Sequence, residues 1–332
     1  MRKRIIILMA GVSAALAGCV KEEAGGSLAP GEISYRVVQG NTARADMTGK
    51  TEYPKEVPFA SYAYFLPAGK AWNTHKGDAE MYINNAKIEH DAGNNSWHAA
   101  TTYYWPKQGS LTFFAYSPAT IASHGGFSRG KEGITLTGWN VNANSGVDFM
   151  VADIAADKRG NEDNYAYNGV PTLFRHKLAR VSVKARLDNT YDGKTVRLKS
   201  VTLTYIYTEG DYANNNWTGQ RDARYIGQYS NQTGQPLTAT AAIDAGTQKR
   251  IVMPQALAAN AGFNIAYEVT TDATGVTESF TKDILIKSVT PAWYMNTDIT
   301  YTLIISLGTN YIEFDTTVTD WVEHGGTGLT IE

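Results

Sequence analysis

Cysteine occurs once in this chain, at position 19 of 332. No internal disulfide can form, so stability has to come from packed cores. No thiol remains beyond residue 19 for metal, redox or nucleophilic chemistry. Long hydrophobic runs are also scarce. Past residue 17 no stretch approaches the roughly 20 apolar residues of a membrane-spanning helix. Charge is sparse and balanced, with 30 Lys and Arg against 32 Asp and Glu and a net charge of −2. With no basic block, the composition argues against nucleic-acid binding. Enzyme signatures are missing too: no His-Glu-x-x-His, no Gly-x-Ser-x-Gly after a strand, no P-loop and no dinucleotide glycine fingerprint. The carboxylates are scattered through loops, and no amphipathic helix longer than two turns follows the N-terminal region. The expectation is a non-enzyme that needs no cofactor and no metal.

What is present begins with Arg2, Lys3 and Arg4, followed by Ile5 to Ala17, apolar apart from Gly11 and Ser13. A basic head, a short apolar middle and small residues form an export signal, here residues 1–18. Leu16-Ala17-Gly18-Cys19 resembles the lipobox of bacterial lipoproteins. That resemblance implies cleavage before Cys19 and acylation of its thiol and new amine, a lipid anchor for the precursor. The competing reading is a free cysteine in a signal region. Val20-Lys21-Glu22-Glu23 resembles the surface-export tag of lipoproteins in Bacteroides-like bacteria.

The rest reads as β-structure. Twenty tyrosines, seven tryptophans and 31 glycines on a weakly charged chain suit an extracellular β-protein. The roughly 310 residues after Gly18 suggest two domains. Residues 21–56 are mostly polar, with one island, 33–39, where Ile33, Tyr35 and Val37 alternate with Ser34 and Arg36. Aromatic and β-branched runs follow at 57–66, 87–105 (with a turn at Gly93-Asn94-Asn95), 111–118 and 148–153. Polar residues 155–169 mark a boundary between domains. Beyond it, 179–187 alternates with Val181, Val183, Ala185 and Leu187 on one side, answered by 194–207. Further strands are expected at 249–257, 263–272, 278–287, 299–307 and 311–321. Many short strands with regular turn signals argue for β-sandwiches.

Two constellations invite a site. His90 and His98 flank one turn and would bind a metal only with a third ligand such as Glu89 or Asp91; two half-exposed strand histidines are the plainer reading. Trp72, Trp97, Trp105, Trp139, Trp217 and Trp293 are candidate stacking platforms for sugars. Trp105 and Trp293 fit core packing, while Trp139 and Trp217 read as loop residues and as the better candidates for exposure.

The runs 103–118 (YYWPKQGSLTFFAYSP), 148–153 (DFMVAD), 170–187 (VPTLFRHKLARVSVKARL) and 253–257 (MPQAL) together resemble the fimbrillins, the pilus subunits of Bacteroidales. So do 59–72 (FASYAYFLPAGKAW) and 290–307 (TPAWYMNTDITYTLIISL), in the same order along nearly the whole chain. The resemblance implies an all-β fold of two tandem transthyretin-like, Greek-key β-sandwiches. They would span 45–170 and 171–332, after a signal peptide at 1–18 and a propeptide at 19–44. It further implies a lipoprotein precursor carried to the outer membrane surface. There an arginine-specific protease removes an N-terminal strand, and a C-terminal segment of another subunit replaces it, giving a fimbrium that supports adhesion.

Residues can be assigned to that scheme. Ile33, Tyr35 and Val37 would be the removable strand. Arg44 before Ala45, amid Gly, Asn and Thr, fits an accessible cleavage site. The stretch alone reads as an ordinary loop arginine, and its position between a lone strand and the first domain is what favours cleavage. Arg36 is the rival but lies inside the strand pattern. The donor candidate lies in 311–332, with Ile312, Phe314, Thr316 and Val318 on one face. The last residues, 326–332, could extend it. Alternatively, 311–321 is simply the last strand of its own domain. The expected partners are other pilus subunits, the protease and, through lipid, a membrane. The competing function is a surface lipoprotein that binds glycans through its aromatic rings.

Overall fold

A computed structural model describes residues 31–39, 51–160, 169–224, 228–230, 234–246, 249–308 and 312–321. In chain order the strands are β1 Tyr35–Gln39, β2 Thr51–Glu52, β3 Phe59–Leu66, β4 Glu80–Asp91, β5 Ser96–Ala99, β6 Ser110–Ser117, β7 Phe127–Gly130, β8 Gly133–Asn140, β9 Met150–Ala152, β10 Ala155–Lys158 and β11 Val170–His176. Then come β12 Ala179–Leu187, β13 Lys194–Thr204, β14 Ile206–Ala213, β15 Asn216–Arg224, β16 Gln228–Ser230, β17 Ile243–Asp244, β18 Arg250–Val252, β19 Gln255–Ala256, β20 Gly262–Thr271, β21 Val276–Leu285, β22 Ala292–Trp293, β23 Thr297–Ile305 and β24 Ile312–Asp320. The α-helix among the described residues is the single turn Trp72–His75. The chain is all-β, as its strand-period patterning requires.

In the first half the order β10-β6-β3-β4-β5-β1-β11-β9 forms one sheet, and β9 also pairs with β6. That second pairing brings the sheet round on itself, enclosing a core of Tyr35, Tyr53, Phe59, Trp97, Phe113 and Phe174. The aromatics decide this core. Phe59 lies 5.2 Å from Phe174 and 5.6 Å from Trp97, ring centre to ring centre, within the range where aromatic pairs add to simple burial.

The later strands make two facing sheets, β17-β12-β23-β24 with β18 beside β12, and β16-β13-β20-β21. Val181, Val183, Ala185 and Leu187 point into the space between them, as their alternation requires. The run 194–207 does not pair with 179–187, contrary to the sequence expectation. β12 pairs with β23 in parallel, and β13 pairs with β20 in the opposite sheet. The two runs meet through side chains, because each must bury its apolar face against the other.

A fourth sheet, β15-β14-β8-β7, combines strands from either side of residue 170. Its apolar face packs over Tyr62, Phe114, Phe149 and Trp321 in a core drawn from both halves. The hairpin 206–224 thus crosses the boundary inferred from composition, and the division into two domains at 170 stays a proposal.

Candidate functional site

Ile33, Tyr35 and Val37 are buried, and Arg36 faces solvent. Alternation alone accounts for this, since β1 has one face on the core. Tyr35 meets Phe59 and Phe113 edge-on, at 5.6 and 6.0 Å. Burial pushes its phenol pKa well above the ordinary tyrosine value.

β1 is an interior strand. On one side it runs parallel to β11 from Tyr35↔Val170 to Gln39↔Phe174. On the other it meets Trp97 of β5 and residues 51–52 of β2. Just upstream, Ile33 N–H donates to Tyr103 O at 2.8 Å, and Trp105 N–H donates to Gly31 O at 2.9 Å. Gly169 allows the close approach of β11. It has φ +76°, and a Cβ there would lie 2.8 Å from the backbone carbon of Tyr35. Cys19, Arg44 and Ala45 lie outside the described residues.

The donor candidate is the last strand of its sheet. β24 pairs with β23 antiparallel along its whole length, from Thr297↔Asp320 to Ile305↔Ile312. Ile312 is buried, Phe314 and Thr316 are half-buried, and Val318 is 54% exposed. The apolar face therefore grades from core to solvent. A groove of about 330 Å³ runs beside it, lined by Phe314, Val318, Val289 and Tyr294. At the end of β24, Trp321 is 1% exposed. It is stacked on His176 and capped by Arg180, whose guanidinium carbon lies 4.8 Å from the ring centre.

The other sequence candidates separate. The β4–β5 register sets His90 opposite Trp97 and His98 opposite Glu89. Adjacent positions on a strand point to opposite faces, so the two imidazoles do not converge. Among the described residues no group of three or more His, Cys, Asp or Glu side chains is placed to hold a metal. Trp139 and Trp217, read from sequence as loop residues, lie in β8 and β15 and are buried in the shared core. The indole N–H of Trp217 donates to Lys177 O. Their short polar neighbours hid a sheet that forms only when the two halves meet. Trp72, Trp97 and Trp293 are buried and Trp105 is half-buried, so these six rings do not form an exposed platform.

The chain matches the fimbrillin-like family over residues 70–321. No curated protein matches it in sequence. Its fold resembles that of a fimbrial protein from Bacteroides vulgatus, at 17% identity and a TM-score of 0.61, over 80% of this chain and 93% of that one. It also resembles a candidate cell adhesion protein from Parabacteroides distasonis, at 10% identity and a TM-score of 0.51, over 88% and 98% of the two chains. Among the described residues no helix is long and apolar enough to cross a membrane. The family match covers most of the chain: this protein belongs to the fimbrillin-like family, a family of fimbrial structural proteins and not of enzymes.

Proposed function

We propose that this chain is a pilus subunit at the cell surface, exported as a lipoprotein through Cys19 and freed by cleavage between Arg44 and Ala45. Polymerisation then proceeds by donor-strand exchange. The observation that carries this reading is the seat of β1 between β5 and β11. The strand contributes Ile33, Tyr35 and Val37 to the first core, with residues 40–50 between it and the next strand. Excising it would open the sheet at β11 and uncover Phe59, Phe113 and Phe174. An exposed edge beside an apolar slot recruits another strand.

The energetics favour a long-lived polymer. A replacement strand restores several backbone hydrogen bonds at about 1 kcal/mol net each. Each buried apolar side chain adds about 1.5–3 kcal/mol. The C-terminal segment is the donor in this proposal, through Ile312, Phe314, Thr316 and Val318 or through the residues that follow Trp321.

N-terminal sequencing of surface pili tests the scheme. The expected start is Ala45, and Arg44→Ala leaves unprocessed, lipid-anchored monomers. A mature start at Cys19 in assembled fibres overturns it.

A further inference from the structure

Lys177 follows the last residue of β11, and Asn215 is the second residue of the two-residue turn between β14 and β15. Asn214 and Asn215 have φ of +50° and +58°, the left-handed pair that a tight hairpin needs and asparagine tolerates. Both partners are held in place. Lys177 N–H donates to Phe149 O at 2.8 Å, and its carbonyl accepts from the indole N–H of Trp217, two residues beyond Asn215. Lys177 is only 5% exposed, and its Nζ donates to Asn215 Oδ1 at 2.7 Å. The Tyr212 hydroxyl donates to the same oxygen at 3.4 Å. An ammonium can only donate, so the amide turns its carbonyl, not its nitrogen, toward Lys177.

The surroundings favour the free amine. Asp153, held by Arg175 through hydrogen bonds of 3.0 and 2.9 Å, brings a negative charge that supports the ammonium, and Arg175 opposes it. Glu132, lining the same cavity, is paired with Lys76 at 2.6 Å. Burial raises the Tyr62 and Tyr212 phenols, so both stay neutral. Burial also outweighs the Asp153 charge at Lys177 and pulls the amine pKa down to about 8. A desolvated lysine of this kind is a nucleophile near neutral pH, and it lies against the carbonyl of a primary amide. Such held contact replaces a bimolecular encounter.

We propose that Lys177 and Asn215 condense into an intramolecular isopeptide bond. The lone pair of neutral Nζ forms a bond to Asn215 Cγ, and the Tyr212 hydroxyl steadies the charge that develops on Oδ1. The Cγ–Nδ2 bond then breaks. The proton shed by Nζ passes to Nδ2, which leaves as ammonia into solvent at the exposed turn. Atoms and charge balance without an oxidant or a reductant. A neutral amide replaces a buried cation, which removes the burial cost of the charge. The bond ties β11 to the hairpin that crosses between the halves, in a chain whose single cysteine cannot form an internal disulfide. Until it forms, Lys177 titrates as a free amine. The bond does not depend on strand exchange.

The test is intact-mass spectrometry and tryptic mapping of the full chain, incubated from pH 6 to pH 9. The expected wild-type mass is lower by one ammonia, with the peptide holding Lys177 joined to the peptide holding Asn215. Chain not yet joined should convert about tenfold faster at pH 7 than at pH 6 and level off above about 8, as the neutral amine does. Lys177→Arg keeps the charge, and Asn215→Gly suits the turn; both should show the undiminished mass of their sequences. A succinimide at an exposed asparagine also loses ammonia but leaves the two peptides separate, and that result overturns the proposal. So does an undiminished wild-type mass after incubation at pH 9, a conversion rate that ignores pH, or a mass deficit that persists in Lys177→Arg. If a variant does not fold, the joined or separate state of the wild-type peptides decides by itself.

Discussion

Trp321 lies flat on His176, with ring centres 4.2 Å apart and planes 5° from parallel. The residue just after β24 thus packs against the end of β11. The same β11, at residues 170–174, carries β1. Both segments proposed for assembly therefore converge on one strand. His176 is itself held by Asp148, with Nδ1 2.8 Å from Oδ2.

Trp321→Ala should remove a buried indole from the core that joins the two halves. The expected loss is about 3–5 kcal/mol, the range for emptying a large aromatic site. Urea unfolding followed by intrinsic fluorescence measures it. A loss below about 1 kcal/mol would mean that the ring does not anchor the strand.

Gly169→Val should loosen β1 specifically. The substitution imposes a side chain at φ +76° and drives it into the backbone of Ser34 and Tyr35. A cost of roughly 1–3 kcal/mol is expected, together with faster trypsin cleavage at Arg36. Gly146→Val is the control, since Gly146 also has positive φ but open space around it. Equal cleavage rates in the two variants would refute a β1-specific effect.

Two truncations should separate the donor alternatives. Removing 322–332 leaves β24 and Trp321 in place, so the melting temperature should stay near wild type. Removing 311–332 strips β24 from β23 and uncovers Ile305 and Tyr301, so the melting temperature should fall by several degrees. If the shorter truncation alone abolishes heat-labile ladders on unheated gels, the tail is the donor. If ladders persist, the donor is β24.

Stability should rise between about pH 8 and 10. Below about 8 the Lys177 amine is protonated in both folded and unfolded chains and carries its burial cost. Above that the folded chain loses the proton while the unfolded chain keeps it up to its usual 10.5. Where the unfolded state binds more protons, stability increases with pH. The gain is at most about 3 kcal/mol. Above pH 10 the trend should reverse. Burial holds the Tyr35, Tyr53 and Tyr62 phenols above 10.0, so their contribution is lost once unfolded tyrosine ionises. Lys177→Met should flatten the rise, as read from denaturation midpoints across this range.

Much of this protein is written in local pattern. The alternation of Ile33, Tyr35 and Val37, and of Val181 to Leu187, fixes which side chains face a core, because strand geometry sends successive residues to opposite faces. The turn at 92–95 follows from Gly and Asn, with Asn95 at φ +51°. Pairing is another matter. Nothing near Trp139 or Trp217 announces that β8 will pair with β14, some 70 residues away, so their burial was illegible. The seat of β1 beside β11 was equally hidden. Side-chain period is a property of a few neighbouring residues. Which edges meet depends on how distant apolar faces share the same interior, and only the tertiary structure decides that.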